Sequence, residues 1–498
     1  MNQTWGKIAL LGDQIMEAPT RLFIGEPLHL YQHDCACPEP IILPSDFSTS
    51  QQTLPWHITP SLQRYSLTDS HELVFSPLTG SHVLVLDSEA SAILSQFERL
   101  VLLSDAQIGS PDRQSLLMWF RRYGLIVPVH RSLVPPPSES SVLTAWLHVT
   151  NECNLRCDYC YLDKTAEAMT TATGRAAVEA IFRTAVQHGF RGVKLKYAGG
   201  EALLNFRLIA ELHDFGMELA QNTGLSFNET ILTNGVTLTK GMLTAASDAN
   251  IALSISLDGV GDTHDAQRKF TNGGGSFTHV ARAIDRAIAT GVKPFLSITV
   301  TGRNTAALPQ VVDFAIDRGL RFNLNFYRDN DCSAGFSDLR GENELIIVGM
   351  RAAFSVIEKR MPPYRIIDNL VDRSAFHAPH GHACGAGFSY MVVDHNGAVA
   401  RCQMEIERPV TSVHATDPLA EIRLYADGFQ NLSAAEKEGC RDCTWRNWCA
   451  GGCSLLTYRM TRRSDVKSPY CNVYKTLFPE MLRLEGLRLL KWGSDIPI

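Results

Sequence analysis

The chain has 498 residues, 45% of them apolar and 20% charged, with a formal net charge of −6. That length accommodates two to four domains of roughly 100–200 residues each, and the charge balance lacks the basic tract that a nucleic-acid partner would require. No apolar stretch approaches a membrane span, and the run in MNQTWGKIALLGDQ ends at Asp13, too soon for a secretory signal. The expectation is therefore a cytosolic protein with neither membrane nor nucleic acid as partner. Thirteen cysteines in a reducing compartment, ten of them in two clusters, point to metal ligation rather than disulfides.

Residues 1–55 read as an irregular extension rich in Pro, Gln and Ser. Its Cys35 and Cys37 are expected to be simple thiols, since two cysteines one residue apart cannot complete a site. From 56 to 133, RYSLTDSHELVFSPLTGSHVLVLD predicts short strands around the turn PLTG. SEASAILSQFERL and RQSLLMWFRRYGLIV carry apolar residues at helical spacing, so a small α+β or winged-helix domain is expected. The prolines and small polar residues of VPPPSESS mark a linker at 134–141.

Between 142 and 330 strand-like runs alternate with helical patterns. The strands are LTAWLHV, VKLKYAG, TILTN, IALSISL, PFLSITV and RFNLNFY. TGRAAVEAIFRTAVQHG, NFRLIAELHDFGMELAQN and SFTHVARAIDRAIATG supply helices between them. Six such repeats predict an α/β fold, a partial (βα)6 TIM-like barrel whose site is built by loops at the strand C-termini. A bridging region at 331–383, a cysteine-rich domain at 384–475 and a C-terminal helix and tail at 476–498 complete the expected organisation.

CNLRCDYC, Cys153 to Cys160, falls in the loop after the first strand. Three thiolates at this spacing can hold three irons of a [4Fe–4S] cube and leave the fourth iron an exchangeable position; they can also contribute to a zinc site completed elsewhere. YAGGEALL follows the second strand, LTNG the third and SLDGVGDTHDAQR the fourth. Gly199 and Gly200 let backbone approach a ligand closely, and Glu201 offers an acceptor for an ammonium group. Each is an ordinary turn by itself; in register at successive strand ends they form a site.

On these motifs the chain resembles the radical S-adenosylmethionine enzymes, and its C-terminal region resembles their SPASM extension, over residues 143–475. CNLRCDYC matches the family motif with Tyr159 as its aromatic position. The resemblance implies that S-adenosylmethionine chelates the open iron. Gly199, Gly200 and Glu201 would hold its amine, Asn234 would lie along it, and Ser256 and Arg268 would bind ribose and carboxylate. It implies one-electron reduction by a flavodoxin- or ferredoxin-type donor, cleavage of the sulfonium bond, and a 5′-deoxyadenosyl radical that removes a hydrogen atom from substrate.

Cys384, Cys402, Cys440, Cys443, Cys449, Cys453 and Cys471 follow the seven-cysteine SPASM spacing, with a two-zinc ribbon as the other way to use them. The family arrangement implies two auxiliary [4Fe–4S] clusters, one on Cys440, Cys443, Cys449 and Cys471, the other on Cys384, Cys402 and Cys453, for three clusters in all. Two complete cubes need eight thiolates, and RSAFHAPHGHACG holds histidines where some relatives have an eighth cysteine. An open iron is therefore expected, with His377, His380, His382 and Cys332 as alternative fourth ligands.

The region from Arg64 to Pro128 resembles the winged-helix element by which peptide-modifying relatives bind a precursor's leader, by strand addition; capping the barrel is the other role open to it. The expected activity is maturation of a ribosomally made precursor peptide through a C–C or thioether cross-link. A sulfatase-maturing enzyme is one alternative, weakened because Gln403 stands where those relatives place an aspartate. An iron–sulfur scaffold or electron carrier is another. No catalytic base is assigned; Asp329, Asp331 and Glu405 have no stronger claim than solvated carboxylates.

Overall fold

The computed structural model describes residues 8–11, 14–17, 22–24, 54–78, 82–103, 111–129, 140–368 and 370–493. Cys35, Cys37 and most of the expected linker lie outside them.

Six strands fall where the apolar runs predict them: β1 (Val142–Thr150), β2 (Gly192–Gly199), β3 (Ser226–Thr233), β4 (Ala252–Ser256), β5 (Phe295–Val300) and β6 (Phe322–Phe326). They pair in parallel and in chain order. The sheet is open among the described residues. Its apolar side chains, such as Leu147, Leu195, Ile231, Ile255 and Ile298, are buried under the crossover helices, as parallel strands covered on both faces require. Local chemistry sets the helix limits: Thr170 caps Thr171–Gln187 by accepting from Thr173 N, and Gly224, at φ 72°, ends Phe206–Thr223 in the left-handed conformation.

The other edge of β1 was not legible in the sequence. Tyr390–Val393 pairs with it in parallel and continues into the antiparallel strands Ala398–Ala400 and Thr411–Ser412, giving nine strands. The cysteine-rich region therefore begins as an extension of the parallel sheet rather than as a separate body.

The N-terminal unit is α+β, with a four-stranded and a three-stranded sheet and the helices Ser88–Ser95 and Pro111–Arg122. Trp56, Leu94, Phe97, Trp119 and Phe120 form its own core. The expectation of an irregular extension needs correction. Ile8–Leu11 and Gln14–Glu17 form a hairpin, and Leu22–Ile24 joins the four-stranded sheet beside Leu84–Asp87, a long-range pairing that local pattern does not reveal.

The last helix, Cys471–Trp492, fastens this unit to the rest. A Cβ at Gly486 would lie 2.8 Å from methyls of Leu67 and Leu73, so glycine permits the strand-to-helix approach. Trp448 donates its indole N–H to Pro77 O at 3.0 Å and meets Phe75 edge-on. Among the described residues, no helix is long and apolar enough to cross a membrane.

Candidate active site

The loop after β1 is fixed by backbone before any side chain acts. Leu155–Cys157 pairs antiparallel with Arg268–Phe270, setting Cys157 opposite Arg268. Gly200 N donates to Thr150 O at 2.8 Å and Glu201 N to Glu152 O at 2.9 Å. A Cβ at Gly199 would lie 2.2 Å from Thr150 O, and one at Gly200 2.3 Å from Glu152 O. The glycines thus admit the cysteine loop's own backbone, a closer approach than the ligand contact expected of them.

Glu201 is buried, and its carboxylate accepts from Thr233 Oγ1 at 2.6 Å, Leu203 N at 3.0 Å and Asn234 N at 2.7 Å. It ties the loop after β2 to the end of β3. Burial pushes its carboxyl up, and these donors pull against that shift. Asn234 Nδ2 donates to Asn154 Oδ1 at 2.7 Å and reaches Cys153 Sγ at 3.9 Å. Ser256 ends β4 beside Ser297.

Arg268, expected as a fork for a ligand carboxylate, is already engaged. Its Nη1 donates to the Tyr159 hydroxyl, and it lies 3.5 Å from Asp258 Oδ2. Tyr159 donates to Asp258 Oδ2 at 2.5 Å, while Asp258 Oδ1 accepts from Thr299 N at 2.8 Å. Both residues hold the cysteine loop against the ends of β4 and β5. Asp258, from the SLDG loop, is the member that motif matching did not single out.

Cys153, Cys157 and Cys160 lie close enough to perturb one another. Burial pushes Cys157 up to about 12 and raises Cys153. Lys164 hydrogen-bonds Cys160; burial alone would lower its ammonium, but the three thiols raise it above the ordinary lysine value. Its position four residues past the motif was the only signal.

Cys440, Cys443, Cys449 and Cys471 line one small hollow together. Cys384, Cys402 and Cys453 form a third group. Burial pushes Cys402 up to about 12 and would raise Cys453, but Arg328 and Arg373 bring Cys453 below its ordinary value. Arg328 also binds Asp372 at 2.8 and 3.0 Å. Neither arginine carries a motif in sequence.

The alternative fourth ligands make other contacts. Cys332 is exposed, donates to Tyr161 O and neighbours Cys160 rather than Cys384. His377 lies 3.9 Å from Asp368. His380 bonds Ala378 O at 3.1 Å and His382 packs on Phe388; both line a cavity of about 810 Å³ with Arg401, Tyr425 and Phe429. Of the carboxylates considered as bases, Asp329 pairs with Arg340 and Glu405 lies 3.6 Å from Arg401, while Asp331 is exposed. Gln403 accepts from the Tyr390 hydroxyl at 3.0 Å.

The donor chemistry fits iron–sulfur clusters. The eleven described cysteines are free thiols, ten of them in three groups, each group with a cation beside it. No set of three or more His, Cys, Asp or Glu among the described residues is arranged for a single metal ion. A four-iron cube sits between its thiolates and spaces them more widely than one ion does.

Residues 147–315 match the family model of the Radical SAM superfamily, so this stretch is a radical SAM domain. An uncharacterized protein of Methanocaldococcus jannaschii is 27% identical over 176 residues, 35% of this chain and 59% of that protein. The GTP 3′,8-cyclase of Sinorhizobium medicae is 29% identical over 180 residues, 35% of this chain and 49% of that protein. The chain thus spans between about half and three-fifths of these two relatives' lengths. The solved structure of native anSMEcpe with bound AdoMet and Cp18Cys peptide is similar with a TM-score of 0.57 at 18% identity, covering 72% of this chain and 100% of that one; the likeness is one of fold.

Proposed function

We propose that this protein is a radical S-adenosylmethionine maturase that removes a hydrogen atom from a ribosomally made precursor peptide and closes an intramolecular C–C or thioether cross-link. The observation that carries this reading is the gathering of ten cysteines into three groups, the first at the C-terminal mouth of a parallel sheet. Cys153, Cys157 and Cys160 would hold the cluster that binds S-adenosylmethionine, and the other two groups would hold auxiliary clusters. When bound, the first cluster and its ligand supply the radical chemistry that no side chain can.

The chain's own residues position and shelter that chemistry. Glu201 locks the second loop to the third, and the Tyr159–Asp258–Arg268 set locks the cysteine loop to the fourth. Gly199, Gly200, Asn234 and Ser256 border the resulting mouth. With Arg268 Nη1 given to Tyr159, the guanidinium edge left for a ligand carboxylate includes Nε, which is buried and makes no hydrogen bond within the protein.

For the substrate, support comes from the N-terminal unit. Gln63–Thr68 is an edge strand of the four-stranded sheet among the described residues, and such an edge can accept a leader as an added strand. The anSMEcpe structure of similar fold holds AdoMet and a peptide. A sulfatase-maturing activity is the second reading; Gln403, an amide bonded to Tyr390, has no capacity as a base where that reading wants a carboxylate. An electron donor of flavodoxin or ferredoxin type would serve either activity.

The test is anaerobic incubation of the cluster-loaded full chain with S-adenosylmethionine, dithionite and any short peptide that a neighbouring reading frame encodes, followed by mass spectrometry. A peptide mass lower by two hydrogen atoms, together with 5′-deoxyadenosine, is expected. Fully loaded protein yielding no 5′-deoxyadenosine would leave only the scaffold or electron-carrier reading.

A further inference from the structure

We infer that Lys437 is a positioning cation shared by the two auxiliary clusters, one that raises the reduction potential of both. The inference rests on the cluster reading above and goes beyond it by assigning a role to a residue outside every cysteine motif.

Lys437 is fully buried, a rare situation for a lysine and a costly one for an ammonium without compensating charge. Lys437 O accepts from Cys440 N at 3.1 Å, and its ammonium lies against the Ala450–Ser454 turn that runs from Cys449 of one group to Cys453 of the other. The neighbouring Glu436 also feels its charge, but that carboxylate turns outward to accept from Ser433 N at 2.8 Å. Arg328 and Arg373, by contrast, stand beside the Cys384, Cys402 and Cys453 group. Lys437 is therefore placed to address both groups at once.

The fold is shaped around it. Cys449 and Cys453 belong to different groups, and the three residues between them, Ala450, Gly451 and Gly452, all take left-handed conformations at φ 44°, 76° and 68°. That turn wraps the lysine: Nζ donates to Ala450 O at 3.2 Å and to Ser454 Oγ at 3.4 Å. A Cβ at Gly451 would lie 2.7 Å from the lysine Cδ and 3.0 Å from Nζ, so the AGG sequence leaves room for this side chain. Beyond Ser454, a hydrogen-bond chain continues through Asn431 Oδ1 at 2.9 Å to the Cys384 carbonyl, which accepts from Asn431 Nδ2 at 2.8 Å. The ammonium thus has a fixed position, held by neutral dipoles that leave its charge to the clusters.

A thiolate-ligated cube is anionic and gains a further negative charge on reduction. A fixed cation in a low-dielectric interior stabilises the reduced form more than the oxidised one, which moves the potential upward. Because the ammonium sits in the turn that links the two groups, both potentials move in the same direction.

The experiment is redox-titrated electron paramagnetic resonance on the cluster-loaded full chain carrying Cys153→Ala, Cys157→Ala and Cys160→Ala, so that only the auxiliary clusters report. Lys437→Met and Lys437→Gln are expected to shift both midpoint potentials to more negative values, with Lys437→Arg staying close to the parent. Two fully loaded clusters with unchanged potentials in the Met and Gln variants would overturn the inference, as would a shift in only one. If the neutral variants fail to load while Lys437→Arg loads, the charge requirement stands at the stage of assembly. If all three fail alike, the role is one of packing and the inference falls. A Lys437-containing parent with fewer than two clusters by Mössbauer spectroscopy and iron analysis would overturn the cluster reading itself, which is a distinct result.

Discussion

Tyr159 and Asp258, 99 residues apart in the chain, are joined by a 2.5 Å hydrogen bond that bolts the first cysteine loop to the loop after β4. Arg268 completes the set, and Asp258 is the only carboxylate found within ion-pair distance of it among the described residues. Removing the charge from Asp258 strands a buried guanidinium, whereas removing the tyrosine hydroxyl deletes one hydrogen bond and leaves the ion pair. Asp258→Asn is therefore expected to cost about 3–5 kcal/mol and Tyr159→Phe about 1 kcal/mol, measured by urea unfolding of the metal-free chain. Equal losses would show that the pair does not dominate.

Glu201 makes a similar case with three donors and, among the described residues, no cation bonded to it. In Glu201→Gln an amide N–H₂ must face either the Asn234 N–H or the Thr233 and Leu203 donors. A loss of about 1–3 kcal/mol is expected, together with weaker S-adenosylmethionine binding in equilibrium dialysis. Thr233→Val, which deletes one donor only, should fall well short of that.

The cysteine groups predict a pattern of iron loss. Cys449→Ala and Cys453→Ala should each remove a different auxiliary cluster by Mössbauer spectroscopy, although the two residues are four apart. Cys332→Ala and alanine variants of His377, His380 and His382 should keep the full complement, since Cys332 neighbours Cys160, His377 lies by Asp368, His380 bonds Ala378 O and His382 packs on Phe388. Loss of a cluster in any one of them would defeat the open iron.

His264 should contribute to acid sensitivity, alongside His82, His148 and His380, which burial also depresses, each to about 4. The His264 Nδ1 accepts from Asp258 N at 3.2 Å, and its Nε2–H must donate to Ser276 Oγ at 3.1 Å, because that hydroxyl gives its own hydrogen to Arg268 O. Burial, aided by Arg268, depresses the imidazole from 6.5 to about 3. A depressed folded value favours the neutral form, so the stabilisation is complete above pH 6.5 and drains as pH falls toward about 3. The slope is about 1.4 kcal/mol per pH unit in that window. His264→Gln should be less stable at neutral pH yet lose less on acidification, as read from urea midpoints at a series of pH values.

The helix that fastens the N-terminal unit holds a buried ion pair, Arg488 to Glu485 at 2.7 and 2.9 Å, with Arg488 also donating to Pro363 O at 3.0 Å. Glu485→Gln should destabilise the chain by about 3–5 kcal/mol, and the double variant Glu485→Met, Arg488→Leu should recover much of that loss. Unfolding midpoints of the three proteins decide it.

The sequence alone determined the six-strand parallel sheet, the helices between its strands and the cysteine loop after β1. These depend on period and spacing, which short stretches of chain carry by themselves. It also pointed to GGE, TNG and SLDG as site loops, because each follows a strand end. The added contacts came only in three dimensions: the glycines of GGE receive the backbone of the cysteine loop, Glu201 joins loops, and Arg268 is held by Tyr159 and Asp258. The cations beside the thiols, Arg328, Arg373 and Lys437, were not visible as site residues, nor was the strand Tyr390–Val393 that joins the cysteine-rich region to the parallel sheet. A charge acts through space on whatever folding brings near it, and a sheet edge pairs with whichever strand arrives; neither choice leaves a local pattern in the chain.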